Sequence, residues 1–269
     1  MKLLTQPGTG LTFKMGRNRP IARGPRLSLK NYLTAALPMP PASGDYTAAA
    51  MASLNLMYDN DILGDCVIAG MEHAEGVMTG NSGAAPILFT DSQTIALYGA
   101  IGGYVPGNPN TDQGCDEQTA LNYWQQTGLA GRKIAGWLAV DPVNATTALW
   151  LFENLIFGIE LPDAWVNPMP VASGFTWDVA GSPDPDNGHC FVACGWSPGK
   201  KRISTWAMLG DITDAAIERY ASSAQQGELY TVISQDAINA ATAKAPNGLD
   251  WVQLTADFAA MGARLPQAA

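Results

Sequence analysis

The sequence predicts an α+β fold, and three observations carry the prediction. Of its 269 residues 47% are hydrophobic, enough to bury a large core in one domain with appendages. Segments of helical period crowd the first half, strand-like runs follow in the second, and the two do not alternate as βαβ units. The runs GHCFVACGW, RISTWAML and ELYTVIS are short and bounded by turn residues and charges, the mark of strands in a predominantly antiparallel sheet. A helical N-terminal half packed on a β-sheet or barrel half is the expected architecture.

Residues 1–44 form a basic extended arm on an acidic body. They hold Lys2, Lys14, Arg17, Arg19, Arg23, Arg26 and Lys30 and no acidic residue, so a net charge of −9 leaves 8 basic against 24 acidic residues, or −16, for the rest. Gly8, Gly10, Gly16 and Gly24 interleave with Pro7, Pro20 and Pro25, which leaves little helix or strand periodicity before Leu27 and no core of the arm's own. Three roles are open to it: a solubilising, partly disordered terminus, a segment that docks on an acidic partner surface, or one that docks on its own body. LPMPPASGDY (37–46) and residues 45–57 read as a linker into the body, with Thr47 to Met57 either a short helix or an extended lead.

The body spans 58–269, with a helical part over about 58–157, a β part over about 158–234 and a helical tail over 235–269. Val67, Gly70, Met71, Ala74, Val77 and Met78 keep helical spacing over 66–78, with Asp65 as N-cap and Cys66 in the first turn. A second helix is predicted at 91–101. A third, 116–127, begins on Asp116 and Glu117, ends at Gly128 and follows the turn-rich loop GGYVPGNPNTDQG. ATTALWLFENLIF (145–157) reads as a fourth helix running into the strand GIELP, and further helical stretches are predicted at 211–224, 235–243 and 250–262.

Several classes of function drop out. No run nears the roughly 18 uncharged apolar residues of a membrane span, and MKLLTQPGTG is broken before an export-signal core forms, so a cytoplasmic protein is expected. Its four cysteines are then expected to be thiols, and the Asn144-Ala145-Thr146 sequon to be silent. No P-loop, dinucleotide fingerprint or metal-spacing motif is present, so no cofactor is expected. Nucleic acid is a poor partner, because the arm has only Phe13 and Tyr32 as aromatics and a body at −16 repels phosphate.

Cys66 closes the stretch NDILGDC (60–66) and is either a buried small hydrophobe or a nucleophile at a helix start. Two histidines could activate it. His73, seven residues on, stands about 10 Å along the helix axis, beyond the roughly 3 Å a general base needs, and reads as a half-buried helix residue. His189, beside Gly188 at the start of GHCFVACGW, is the remaining candidate base. A thiol at a helix start beside an imidazole has its pKa lowered from about 8.5 to about 3.5–7.5, whereas Asp65 opposes the thiolate unless it turns away to cap the helix. Cys190 and Cys194 share a strand face about 13 Å apart, too far for a disulfide or a shared zinc, and read as core; His189 alternates to the other face. Cys115, in DQGCDE, stands where a thiol can be exposed, with no base beside it.

This pattern resembles the papain-like cysteine peptidases. That family places an oxyanion-hole Gln six residues before the nucleophile of a Gly-Ser-Cys at a helix start, and here Asn60 stands six before Cys66. The resemblance implies Cys66 as nucleophile, Asn60 as oxyanion donor beside the Cys66 backbone N–H, and His189 as base. QGCDEQTALNYWQQTGL (113–129) is similar to the family's Gly-rich segment and helix at the substrate cleft. GHCFVACGW is similar to its His-Ala-Val…Val-Gly-Tyr strand and RISTWA to its Ile-Lys-Asn-Ser-Trp-Gly strand, so the likeness spans 58–207. Aligning Trp206 with the family's Trp puts Ser204, with Thr205 beside it, where the family has the Asn that orients the histidine. Asn60 is one methylene shorter than Gln, and Val67 stands where the family has Trp. The chain is also similar to uncharacterised papain-fold proteins of phages and prophages that carry Asn-Asp-x-x-Gly-Asp-Cys and a Leu-Asn-Tyr-Trp helix.

Two functions follow from the resemblance. In one, the chain is a thiol hydrolase of cysteine peptidase or amidase type, of phage or prophage origin, in the host cytoplasm or the virion. Its substrate is a protein, a peptidoglycan cross-bridge or another amide; Tyr104, Trp124 and Trp177 offer an aromatic subsite, and the arm is a pro-segment or a docking segment. In the other, the cleft is vestigial and the chain is a virion structural or cement protein whose arm docks on acidic neighbouring capsid subunits.

Overall fold

An eight-stranded sheet organises the chain, which the computed structural model describes over residues 2–21, 26–234 and 248–261. The arm contributes a hairpin, Leu3–Thr5 (β1) with Thr12–Lys14 (β2), where the sequence shows little periodicity. The large sheet is built from Gly44–Asp45 (β3), Ile134–Ala139 (β4), Leu155–Pro162 (β5), Thr176–Trp177 (β6), Pro183–Ser197 (β7), Lys200–Thr205 (β8), Met208–Thr213 (β9) and Glu228–Ser234 (β10). Its order is β4-β10-β5-β7-β8-β9-β6 with β3 on β7, antiparallel throughout except for β6 against β9.

Helices lie against both faces, the first four with one core and the last four with the other. They are Met51–Leu54 (α1), Cys66–Asn81 (α2), Asp91–Gly102 (α3), Glu117–Gln126 (α4), Ala145–Phe152 (α5), Asp163–Val166 (α6), Asp214–Tyr220 (α7) and Trp251–Ala260 (α8). α2 is buried along nearly its whole length because β7 covers one side of it while α1, α3 and α4 cover others. That explains why its apolar residues are not confined to one stripe. Gly70 lets the helix lie on the strand, since a β-carbon there would stand 3.0 Å from Cys190 Sγ.

Strand alternation divides the core in two. Ile156, Cys190, Val192 and Cys194 face α2, Val67, Ile68 and Met71, while Phe157, Ile159, Phe191, Ala193 and Ile203 form a second core on the opposite face. Cys190 and Cys194 are core residues, as expected. Trp124 belongs to the first core and Trp177 to the second, stacked on Trp165 at 4.9 Å, so the two cannot share the aromatic subsite expected with Tyr104.

Three expected elements change where a local backbone turn intervenes. The helix at 145–157 stops at Phe152, because Glu153 adopts a left-handed φ of 67°, and NLIF becomes part of β5. RISTWAML is a hairpin: Trp206 and Ala207 take φ of 49° and 56°, and β9 then consumes the start of the helix expected at 211–224. Thr213 caps the remainder, accepting from Ala216 N at 3.1 Å. Residues 47–57 hold a 3₁₀ turn and the short α1. The helix expected at 235–243 lies outside the described residues.

Candidate active site

The site is where the start of α2 meets β7. Cys66 opens α2, fully buried, with the backbone N–H groups of Cys190 and Gly16 directed at its sulfur. Burial pushes its thiol up to about 12, with Glu117 and Asp65 pushing the same way. His189, opposite Ile159 in the sheet, is also fully buried, and burial pushes its imidazole down to about 3. Thiol and imidazole are therefore both held neutral. No hydrogen bond joins them among the described residues, and His189 Nδ1 is buried without a partner.

Thr205, rather than Ser204, orients the imidazole. Its Oγ1 lies 2.7 Å from His189 Nε2, and the ring of Trp206 stacks on the imidazole at 4.2 Å with 17° between planes. Ser204 points the other way, its hydroxyl 3.5 Å from Leu54 O, because neighbouring residues of a strand face opposite sides. With Nε2–H donating to Thr205, Nδ1 keeps the lone pair that a general base needs.

Asn60 and Asp65 also depart from the expected roles. The Asn60 amide donates to Leu63 O and to Asp65 Oδ1, both at 3.3 Å, so its hydrogens are turned inward. Asp65 makes no side-chain cap; its backbone carbonyl receives Ile68 N and Ala69 N instead. Burial holds its carboxyl well above the usual range, reinforced by Glu72 and Asp59, which weakens its opposition to a thiolate. His73 is fully enclosed over the Tyr58 ring at 4.9 Å, and Cys115 is buried, not exposed.

The arm lies across this site on its own body. Lys2 pairs with Asp163 and Asp184, Lys14 with Asp112, Arg19 with Glu160 and Lys30 with Asp141. Asp112 in turn accepts from Tyr98 OH at 2.6 Å and Gly64 N at 3.0 Å, which joins the arm, the loop before α4 and the loop before α2. Between Phe13, 5.6 Å from the Trp206 ring, and Asn18 the arm behaves as an added strand. Cys115 N donates to Gly16 O at 3.1 Å, Asn18 N to Cys115 O at 3.0 Å and Arg17 N to Gly188 O at 3.1 Å. Gly16 and Gly114 permit the approach: a β-carbon on Gly16 would fall within the Gly64 carbonyl, and one on Gly114 within the Gly16 carbonyl.

Arg17 is the most deeply held residue of the arm, its side chain 0% exposed. Its Nε sits 3.1 and 3.2 Å from the Glu117 oxygens and its Nη2 3.1 Å from Glu228 Oε2. Sequence reasoning missed this cluster, because nothing in the composition pairs residue 17 with residues 117 and 228.

Keeping His189 neutral carries a pH signature. An unfolded histidine takes a proton near 6.5 and this one near 3, so stability is lost as pH falls from about 6.5 towards 3. Between pH 7 and pH 5 the wild type is expected to lose about 2 kcal/mol more than His189→Gln in urea unfolding. Equal losses would mean that the folded imidazole accepts the proton.

No family model matches the sequence, and no curated protein matches it. Solved structures do. Xylellain, a cysteine protease from Xylella fastidiosa, superposes with a TM-score of 0.60 at 12% identity over 87% of this chain and 98% of its own. The ragweed pollen cysteine protease Amb a 11 in its proform gives 0.54 at 14% identity over 79% and 72%, and procathepsin B S9 from Trypanosoma congolense 0.53 at 10% over 82% and 87%. The α+β fold is papain-like.

Proposed function

We propose that the chain is a thiol hydrolase acting on polypeptide amides, with the arm as the cap of its cleft. The observation that carries the reading is that residues 16–18 bind as an extended backbone, through three main-chain hydrogen bonds, directly over Cys66 and beside His189. A groove that takes one extended peptide this way can take another. In the capped state the arm offers the sulfur the Gly16 N–H and not a carbonyl carbon, which explains how the chain can lie on a nucleophile without reacting.

With the arm displaced, His189 Nδ1 accepts the Cys66 proton and the thiolate attacks a substrate carbonyl carbon. The Cys66 backbone N–H, at a helix start where such groups lack intrahelical acceptors, faces the oxyanion. Asn60 joins it only by turning its amide away from Leu63. The imidazolium then protonates the leaving amine, and water, deprotonated by the same imidazole, hydrolyses the thioester. Two of the structural neighbours are proforms, which supports reading residues 12–19 as a pro-segment.

The test is Cys66 alkylation by iodoacetamide against pH in Gly16→Ala, read by peptide mass spectrometry, together with hydrolysis of an unfolded protein. An inflection well below about 8.5 that vanishes in Gly16→Ala/His189→Ala, with hydrolysis abolished by Cys66→Ser, is expected. A flat profile without hydrolysis would leave the cleft as a groove for the arm alone.

A further inference from the structure

The residue that plugs the cleft is an arginine, and what surrounds it is more than an anchor needs. The planar guanidinium bridges two buried carboxylates, Nε forking onto Glu117 and Nη2 reaching Glu228, a geometry an ammonium cannot reproduce. Gln118 Nε2, at 3.0 Å, and Tyr230 OH both donate to Glu228 Oε1, which leaves Oε2 facing the guest. The floor is Gly158, where a β-carbon would collide with Glu117 and stand 2.9 Å from Arg17 Nε. The rim is Gly188, whose carbonyl receives Arg17 N.

Charge bookkeeping points outward. Arg26 Nη1 also contacts Glu228 Oε1 at 3.2 Å, and it lies beyond the segment that crosses the cleft, beside Leu27 and Ser28, which hold on to Ala139. If residues 12–19 leave, Arg26 stays with Glu228 and Glu117 is left without its cation. The emptied pocket then offers the Glu117 carboxyl, which an incoming guanidinium would favour in its ionised form, at the end of a slot shaped for that group.

Resting on the hydrolase reading, we propose that this pocket is the specificity site of the cleft and that it selects substrates with an arginine side chain at the position Arg17 occupies. Glu117 and Glu228 are the specificity-determining residues. The arm blocks the site by presenting the side chain that a substrate presents.

The full-length Arg17→Ala variant, whose pocket is vacated, tests this with two readouts. Ethylguanidinium should raise its melting temperature where ethylammonium and ethylurea do not, and Glu228→Gln in the same background should remove the effect. Peptidyl vinyl sulfones differing only in Arg, Leu or Glu at one position should label Cys66 at least about ten-fold faster with Arg, and Glu117→Gln or Glu228→Gln should erase the preference. Equal labelling by the three probes without selective guanidinium binding would overturn the pocket and leave the hydrolase reading intact. Selective guanidinium binding with a Cys66 inert to every probe and to iodoacetamide would sink the hydrolase reading and reduce the pocket to an anchor. Should Arg17→Ala not fold, the vinyl sulfone comparison on the wild-type chain, where the probe must displace Arg17, with Glu228→Gln as control, reads the same preference.

Discussion

Gly16→Ala is expected to raise the rate of Cys66 alkylation at neutral pH by roughly thirty-fold, the factor that corresponds to about 2 kcal/mol. The added methyl has nowhere to go. It would fall within the Gly64 carbonyl, which is backbone and held in place by Asp112, and the opposite side of Gly16 is closed by Gly114. Overpacking of this kind costs about 1–3 kcal/mol, and here nearly all of it weighs on the docked arm, because the open form places no constraint on residue 16. Cys66 has no exposed surface while the arm is down, so its alkylation follows the open population. Unfolding curves should show a smaller effect than alkylation does. An unchanged alkylation rate would mean that something other than residues 15–18 covers the sulfur.

Arg17→Ala is expected to be the most destabilising single change in the arm, by about 3–5 kcal/mol in urea unfolding. Removing one partner of a buried ion cluster leaves the others desolvated, and Glu117 and Glu228 are 1% and 3% exposed. Burial already holds Glu117 above the ordinary carboxylate range, and Arg17 supplies the main opposing pull. The control is a double-mutant cycle. In the Arg17→Ala background, Glu117→Gln should cost little or recover stability, whereas alone it should destabilise, with a coupling of about 2 kcal/mol or more. Additive losses would show that Arg17 acts through packing of its stem and not through its charge.

The two experiments separate what holds the arm from what it covers. Lys2 and Lys30 are tied by partly exposed pairs, each of which contributes little, so the affinity of the arm for the cleft rests on residues 13–17. There Phe13 and Met15 join the second core, Gly16 fits between glycines and Arg17 fills the acidic pocket. Proteins that expose apolar surface at a cleft need it covered in some state, and this chain carries its cover in its own first 20 residues.

What was legible in the sequence follows from local periodicity and from elimination. The 3.6-residue spacing after Asp65 placed α2 and put Cys66 in its first turn, because apolar periodicity and a cap-type residue are local signals. The alternation of GHCFVACGW placed Cys190 and Cys194 on one strand face in the core; that this face meets α2 came from the packing. The charge division between arm and body was also plain, and it names docking on the body as a possibility. Composition could not choose the surface, since 24 acidic residues spread over the body offer many places to dock.

Tertiary structure decided the rest. Two adjacent left-handed residues, Trp206 and Ala207, turn a stretch that reads as one strand into a hairpin. The same part of the fold brings Thr205, not Ser204, to His189, because strand register and not distance along the chain determines which hydroxyl meets a ring on the neighbouring strand. Asn60 turned inward because a buried carboxyl at residue 65 needs donors, and burial is not visible in a string of residues. Arg17 met Glu117 and Glu228 across separations of 100 and 211 residues, contacts that no local pattern encodes. Sequence by itself determined which residue types could do chemistry here and on which elements they ride. Only packing decided their protonation, their partners and what lies on top of them, since those depend on desolvation and on contacts between segments far apart in the chain.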